Sequence, residues 1–384
     1  MRLRSVLPSL ALMLVACGSP PSPDAGVDAG TVYVPTQSRL LGLNDVTWLL
    51  PLEALDAGSP FPSPTSMIPF ASFTRLTTAP PVVRTELARL RVVGLRFDIC
   101  DRALPVPCDE HADGVFRLVL QPVFAQPPQV EDVAFHAFFP VPRAEVPQVV
   151  DELRALAALQ DVPRGSALAV NTAFSTSPEY RAKLGALVSR YASSARLFRM
   201  TLFGQETEHA AIVWVFRGEE LQAGALQPIT IPGIDAGAQE VLLFAGDSFM
   251  VTPLVDEPAG FARAAMETSF RNSTPAEQRE SVQGLLAIDN PTRHTSNTVQ
   301  CATCHMTTSI TPPRAADAGL DVTTFAERYT SSLFDLSPLG NPATRNRTMR
   351  ALGYFNDVPL VSVRVVSETA NVLGELEVRY PAAP

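Results

Sequence analysis

The sequence predicts an α+β protein, with a β-rich N-terminal region that contains amphipathic helices and a small, mainly α-helical C-terminal domain. Short segments rich in Val, Leu and Phe, separated by Pro, Asp and Gly, indicate strands. Apolar residues at helical spacing indicate amphipathic helices between these segments. After about residue 281 the strand-like segments give way to helical ones. We therefore expect α+β structure at 36–281 and a helical domain at 282–384.

The predicted elements of the larger region alternate between strands and helices. The strand-like segments are 88–99, 115–123, 132–140, 168–174, 196–203 and 210–216, and the helix-like segments are 143–159, 177–195 and 258–281. In the C-terminal region, Val361, Val365, Thr369, Val372 and Leu376 recur at helical spacing and predict a helix over 358–378. We expect a second helix at 322–332.

The N-terminal residues predict export. Arg2 and Arg4 precede an apolar run at 6–16. The eleven residues of this run are too few for a membrane span, which needs about 20. We therefore predict a signal peptide at 1–16 and a flexible tether, poor in large apolar residues, at 17–35.

The end of the signal, Leu14-Val15-Ala16-Cys17, resembles the lipobox of bacterial lipoproteins. That resemblance implies that Cys17 is lipidated and anchors the chain to a membrane of the cell envelope. No Asp follows Cys17, which favours the outer membrane, with the protein facing the periplasm or the cell surface. A net charge of −9 without a basic stripe argues against nucleic acid as a partner.

Export to an oxidising compartment bears on the remaining four cysteines, which fall into two close pairs. Cys100 and Cys108 lie between two predicted strands. We expect them to form a disulfide that clamps this connection.

The second pair belongs to the motif Cys301-Ala302-Thr303-Cys304-His305. On a helical turn this spacing places both sulfurs on one face with the imidazole beside them, which suits two thioether bonds to haem and iron ligation by histidine. Composition predicts roughly 0.001 such motifs by chance. A zinc site, a thioredoxin-like redox pair and a structural disulfide are the chemical alternatives. The zinc site lacks a second ligand pair, and the redox pair lacks a preceding apolar strand.

The motif is similar to the haem-attachment site of c-type cytochromes, and the resemblance covers about a hundred C-terminal residues. It implies a cytochrome c-like domain with one covalent haem c, held by thioethers at Cys301 and Cys304. It also implies that His305 is the proximal iron ligand and that Pro312 or Pro313 accepts the second ring proton. The usual Gly-Pro pair is absent, so the local fold is expected to depart from that of small cytochromes.

The distal iron ligand has two candidates. Met349 is the one methionine downstream of the motif apart from Met306, and His294 is the alternative. We interpret His136 as a packed core residue and His209 as a surface residue. The segment around Met349 also resembles the stretch after the second haem of bacterial dihaem peroxidases, but Asn356 stands where those proteins have histidine.

These features predict a membrane-anchored monohaem protein that passes single electrons to a redox partner protein and is not an enzyme. The first alternative is a haem enzyme or sensor with an open, peroxidase-like iron site. The second is a surface binding lipoprotein whose haem is only structural. Binding of carbon monoxide to the ferrous haem would distinguish an open site from a six-coordinate one. No hydrolase or nucleotide-binding motif stands out.

Overall fold

A long antiparallel sheet organises the chain in a computed structural model, which describes residues 36, 38–55, 59–78, 87–100, 112–124, 128–206, 212–243, 248–341 and 348–383. The predicted signal peptide 1–16, Cys17 and the tether 17–35 lie outside the described residues. Contacts between Cα atoms group Pro35–Pro384 into one unit.

The described residues contain twelve strands, and ten of them belong to one sheet. The strands are β1 (Thr47–Leu49), β2 (Leu90–Ile99), β3 (Ala112–Phe124), β4 (Gln129–Val130), β5 (Ala134–Pro142), β6 (Arg199–Glu206), β7 (Ile212–Gln222), β8 (Ala225–Pro228), β9 (Ala238–Leu243), β10 (Phe249–Thr252), β11 (Leu352–Phe355) and β12 (Val358–Val361). The sheet order is β1-β2-β3-β5-β6-β7-β9-β10, with β4 beside β3 and β8 beside β7. Strands β11 and β12 form a separate hairpin.

Ten α-helices surround the sheet in the described part of the chain. They are α1 (Pro64–Met67), α2 (Phe70–Thr78), α3 (Val146–Ala157), α4 (Ala173–Thr176), α5 (Pro178–Tyr191), α6 (Phe261–Ala265), α7 (Glu267–Arg271), α8 (Pro275–Ile288), α9 (Cys301–Asp317) and α10 (Val363–Arg379).

The two faces of the sheet differ in chemistry because successive side chains of a strand point to opposite faces. One face is apolar and packs against α3 and α5; Phe116 of β3, for example, stacks on Tyr191 of α5 with ring centroids 5.5 Å apart. The other face carries charged residues among apolar ones, including Arg96 of β2 and Arg117 of β3, which are register partners. This polar face is the one that the C-terminal helices cover.

The C-terminal helices attach to the polar face through specific polar contacts. Arg96 Nη1 lies 2.5 Å from Glu368 Oε2 of α10. Gln239 Oε1 of β9 accepts a hydrogen bond from the Ala302 amide at the start of α9 at 2.8 Å. Met306 and Ile310 of α9 also share a hydrophobic cluster with strands β6, β7 and β9.

The hairpin β11–β12 docks on the sheet through Gln121 of β3. The buried Gln121 side chain accepts from the Tyr354 amide at 2.7 Å and donates to the Tyr354 carbonyl at 2.9 Å, so that it satisfies both backbone groups of Tyr354. Gly353 has a φ of 133°, and a Cβ there would collide with Gln121 Oε1. Glycine is therefore required at this position.

The predicted α+β class is confirmed, and the strands at 88–99, 115–123, 132–140, 196–203 and 210–216 correspond to β2, β3, β5, β6 and β7. The predicted arrangement is wrong in one respect. The residues after 281 do not form a mainly helical body of their own, because they contribute a hairpin and pack on the sheet. The expected boundary at 281/282 falls inside α8.

Four local predictions also differ from the structure. The segment 168–174 is not a strand but makes one bridge, Val170 to Leu49, before α4. The helix expected over 258–281 is divided by the extended backbone of Met266 into α6 and α7, and α8 begins only at Pro275. In place of a helix over 322–332, only Val322–Thr324 is helical, as a 3₁₀ turn. The segment 358–378 begins as β12, and α10 starts only where Ser362 caps the Val365 amide at 3.2 Å.

Candidate functional site

The first turn of α9 is fixed by a buried glutamine. Gln300 has extended backbone and is the N-cap residue of α9. Its side chain accepts from Gln239 Nε2 at 2.7 Å and donates to the Val255 carbonyl at 2.7 Å. These contacts determine where the helix begins, and the predicted motif residues therefore occupy its first turn.

Cys301, Cys304 and His305 lie on one face of this turn, because residues three and four apart are neighbours on a helix. All three are partly exposed, whereas Ala302 and Thr303 between them are buried. The exposed face opens into a cavity between α9, α10 and the polar face of the sheet, which aromatic, aliphatic and charged side chains line. A mixed lining of this kind suits an organic ligand that also carries charged groups.

The His305 ring has a defined tautomer. Its Nδ1 lies 2.8 Å from the Met349 carbonyl oxygen, which can only accept, so Nδ1 carries the hydrogen and Nε2 keeps its lone pair. Burial lowers the pKa of His305 to about 4, even though the bond to Met349 acts in the opposite direction. The ring is neutral at pH 7, which is the form that binds metals.

Two aromatic rings hold the imidazole in place. Phe203 stacks on His305 with ring centroids 5.7 Å apart and an interplanar angle of 8°. Phe216 lies 5.0 Å away at 54°. The Arg350 guanidinium lies over the Phe203 ring, 4.6 Å from its centroid. The orientation of His305 is thus determined by packing as well as by hydrogen bonding.

Asp132 fixes the segment that carries the Met349 carbonyl. Thr348 and Arg350, the neighbours of Met349, both donate to Asp132 Oδ1 at 2.8 Å. Trp214 Nε1 donates to Asp132 Oδ2 at 3.1 Å. All of these side chains are buried. We call Asp132, Trp214, Thr348 and Arg350 the Asp132 network; it positions the acceptor that orients His305.

The remaining predicted site residues lie elsewhere. The hydrogen bond expected at Pro312 or Pro313 goes to Met349, and both prolines are inside α9. The Met349 side chain is 2% exposed and packs in the cluster that contains Phe203 and Met306. The His294 carbonyl accepts from Arg364 at 2.6 Å. Among the described residues, the cavity lining includes neither Met349 nor His294.

The two thiols do not have the properties of a redox pair. Both are free in the structure. Burial raises the pKa of Cys301 to about 12 and that of Cys304 to about 11. Thioredoxin-like cysteines need the opposite shift, because the thiolate is the nucleophile. A zinc site finds no support either, since no group of three or more potential ligands occurs within the residues that the structure describes.

The cavity lining is rich in arginine. Five arginines line the cavity with a single carboxylate, Glu368, among the lining side chains: Arg96, Arg117, Arg199, Arg217 and Arg364. Outside the lining, Asp98 lies 2.5 Å from Arg96 and 3.3 Å from Arg117, and Glu220 lies 2.8 Å from Arg199. Glu368 lies 2.5 Å from Arg96 and 2.6 Å from Arg364, but 3.9 Å from Arg117. Burial, and then the charge of Arg96, lower the pKa of Arg117. The Arg117 Nε is buried and finds no hydrogen-bond partner among the described residues, so the lining around Arg117 suits an anionic ligand.

Sequence reasoning did not find these arginines, and it assigned His136 to the core. His136 in fact lines the cavity, with its ring centroid 6.3 Å from that of His305. A signal was present, because Arg96, Arg117, His136 and Arg199 are polar residues within otherwise apolar strands. Such positions indicate a sheet face that borders something other than a hydrophobic core.

Two further predictions concern residues that lie partly or wholly outside the described part of the chain. Cys100 is disulfide-bonded, and Cys108, its expected partner, lies outside the described residues. His209 also lies outside them.

Within the described ranges, no helix combines the length and the apolar character needed to cross a membrane. No protein-family model, curated protein or solved structure matches this chain.

Asp289, next to α9, is expected to make stability depend on pH. Burial raises the pKa of Asp289 to about 7, although the charge of Arg364 lowers it. The unfolded chain loses this proton near pH 4 and the folded protein only near 7, so Asp289 destabilises the fold increasingly as pH rises between these values. Asp289→Asn should therefore gain stability over the wild type, by a few kcal/mol at pH 8 and by little at pH 4.

Urea unfolding at both pH values would measure this difference. Asp321→Asn is the control, because hydrogen bonds from Thr323 lower the pKa of the exposed Asp321. That variant should show no gain at pH 8. An Asp289→Asn advantage that is equal at pH 4 and pH 8 would contradict the titration of Asp289.

Proposed function

We propose that this chain is an exported, lipid-anchored monohaem protein of the c-type cytochrome kind, which passes single electrons through one covalent haem c. The observation that carries the proposal is the first turn of α9. There two protonated thiols and a neutral imidazole with a free Nε2 face the same cavity.

The residues around the cavity fit each chemical part of haem. Cys301 and Cys304 would hold the two vinyl-derived carbons, and His305 Nε2 would bind iron. Arginines such as Arg117 and Arg199 would face the two propionates. Phe138, Phe203 and Phe216 supply apolar contacts for the ring. When bound, haem supplies a reversible one-electron iron couple.

The chain itself would set the properties of that couple. The Asp132 network fixes the His305 hydrogen bond, and such an outer contact increases the basicity of the ligand. The sheet and α9 shield the cavity from water on two sides. The excess of arginine would favour the reduced, less positive iron. These are the features through which a protein tunes a potential.

The rest of the proposal concerns location and partners. Lipidation of Cys17 would keep the protein on a membrane of the cell envelope, with the outer membrane as the favoured site, facing the periplasm or the cell surface. An electron carrier there needs a redox partner protein. The sequence 14–17 supports the anchor, and these residues lie outside the described part of the chain.

Expression with its own signal in a bacterial host that attaches haem c tests the proposal. After denaturation, the wild type should retain one haem per chain, measured as the pyridine haemochrome. Cys301→Ser/Cys304→Ser should retain none. Cys17→Ser is the matched control; it should keep its haem but leave the membrane fraction. A folded, exported wild type without covalent haem would overturn the proposal.

A further inference from the structure

We infer that His136 is the second axial ligand of the iron, so that the haem is held between His305 of α9 and His136 of β5. This inference rests on the proposed function, since it assigns the position opposite His305 in the same cavity. It replaces both distal candidates taken from the sequence, Met349 and His294.

The position of His136 in the sheet supports this role. Strand β5 lies between β3 and β6, with Val119 and Thr201 as the register partners of His136. Because side chains alternate along a strand, His136 points into the cavity while Phe135 and Ala137 are buried in the apolar core on the other face. A central strand is a rigid support for a metal ligand.

The distance between the two histidine rings also suits ligation of one iron ion. Their ring centroids are 6.3 Å apart and the rings are inclined by 20°. Two imidazoles that bind one metal ion from opposite sides, each through a bond of about 2.0 Å, have centroids about 6.3 Å apart. The two rings therefore stand at a distance that one iron ion bridges.

The His136 ring is also available for ligation. It is partly exposed to the cavity, and neither ring nitrogen makes a hydrogen bond to any of the described residues. The ring nitrogens are therefore free to coordinate a metal in the cavity.

The two other candidates are less well placed. Met349 presents its carbonyl to His305 Nδ1, which is the edge of the ring away from Nε2. Its side chain packs in an apolar cluster behind that edge. His294 is half-buried near Arg364 and, in the described structure, does not line the cavity. Each would need a rearrangement to reach the iron, whereas the His136 ring already lines the cavity beside His305.

The inference is tested on the exported holoprotein through the optical and electron paramagnetic resonance spectra and through carbon monoxide binding. The wild type should be low-spin in both oxidation states, should lack the charge-transfer band of His-Met haem, and should not bind carbon monoxide. His136→Ala should keep the covalent haem, become high-spin and bind carbon monoxide fully. Thr201→Ala, which changes the neighbouring cavity residue on β6, should resemble the wild type.

His136→Met provides a second, size-conserving variant in case the alanine variant does not fold. It should stay low-spin, acquire the His-Met charge-transfer band and have a higher reduction potential, since methionine ligation raises the potential. The inference would be overturned if His136→Ala kept a low-spin haem that does not bind carbon monoxide. It would also be overturned if the wild type bound carbon monoxide. Loss of low-spin character in Met349→Leu or His294→Ala would also overturn it. Absence of covalent haem from the wild type would instead refute the proposed function.

Discussion

Asp132→Ala should lower the free energy of unfolding by roughly 3–5 kcal/mol, because it removes one partner of a buried ion pair. Arg350 lies 2.8 Å from Asp132 and its side chain is 1% exposed, so its charge would remain in the interior without a carboxylate. Thr348 and Trp214 would lose their acceptor as well. The measurement is chemical denaturation of the wild type and the variant at pH 7.

A matched control is Asp335→Ala. Asp335 is exposed and accepts a hydrogen bond from the Ser337 amide at 2.9 Å within its own turn, so its loss should cost about 1 kcal/mol or less. On the proposed function, Asp132→Ala should also change the potential of the haem, since the Met349 carbonyl loses its support. Equal stability losses in the two variants would show that the Asp132 network does not hold this part of the fold.

Glu368→Gln should be similarly destabilising, by roughly 3–5 kcal/mol, and for a related reason. The Glu368 carboxylate contacts Arg96, Arg364 and, at longer range, Arg117, all with buried or nearly buried side chains. A neutral amide of the same shape leaves an excess of buried positive charge that Asp98 only partly offsets. Thermal and urea unfolding at pH 7 measure the loss.

The loss of stability in Glu368→Gln is expected to depend on pH. The neighbouring arginines hold the pKa of Glu368 well below its usual range despite burial. The Glu368 carboxylate therefore stabilises the fold fully above about pH 4.3, which is its pKa in the unfolded chain. This stabilisation decreases as pH falls toward the lower pKa of Glu368 in the folded protein. The difference between wild type and Glu368→Gln should shrink below about pH 4. Glu152→Gln, which breaks the more exposed pair with Arg190, should cost about 1 kcal/mol or less at any pH.

Local sequence patterns predicted the elements of this fold better than their arrangement. Alternating apolar residues identified β2, β3, β5, β6 and β7, because each strand buries one face in the core. The same reasoning placed a helical domain after residue 281. Helical spacing shows that a helix has an apolar side, but it does not show what that side packs against. In this chain the partner of α9 and α10 is the sheet.

Of the candidate site, too, only one part could be predicted from the sequence. Cys301, Cys304 and His305 are adjacent in sequence, so their juxtaposition on one helical turn was predictable. The contact between Asp132 and Arg350 spans 218 positions, and the ring contact between His136 and His305 joins a strand to a distant helix. Neither leaves a periodic pattern. Polar and charged residues within apolar strands are the one local signal of this part of the site.

The position of the motif in the chain has a consequence for biosynthesis. Cys301 and Cys304 share their cavity with side chains that come later in the chain, among them Leu352 of β11 and Arg364 and Glu368 of α10. Under the proposed function, a rigid macrocycle has to reach both thiols before these residues close over it. Haem attachment would therefore precede the docking of 348–379, and the enzyme that attaches it would act on a chain whose C-terminal end is still unfolded.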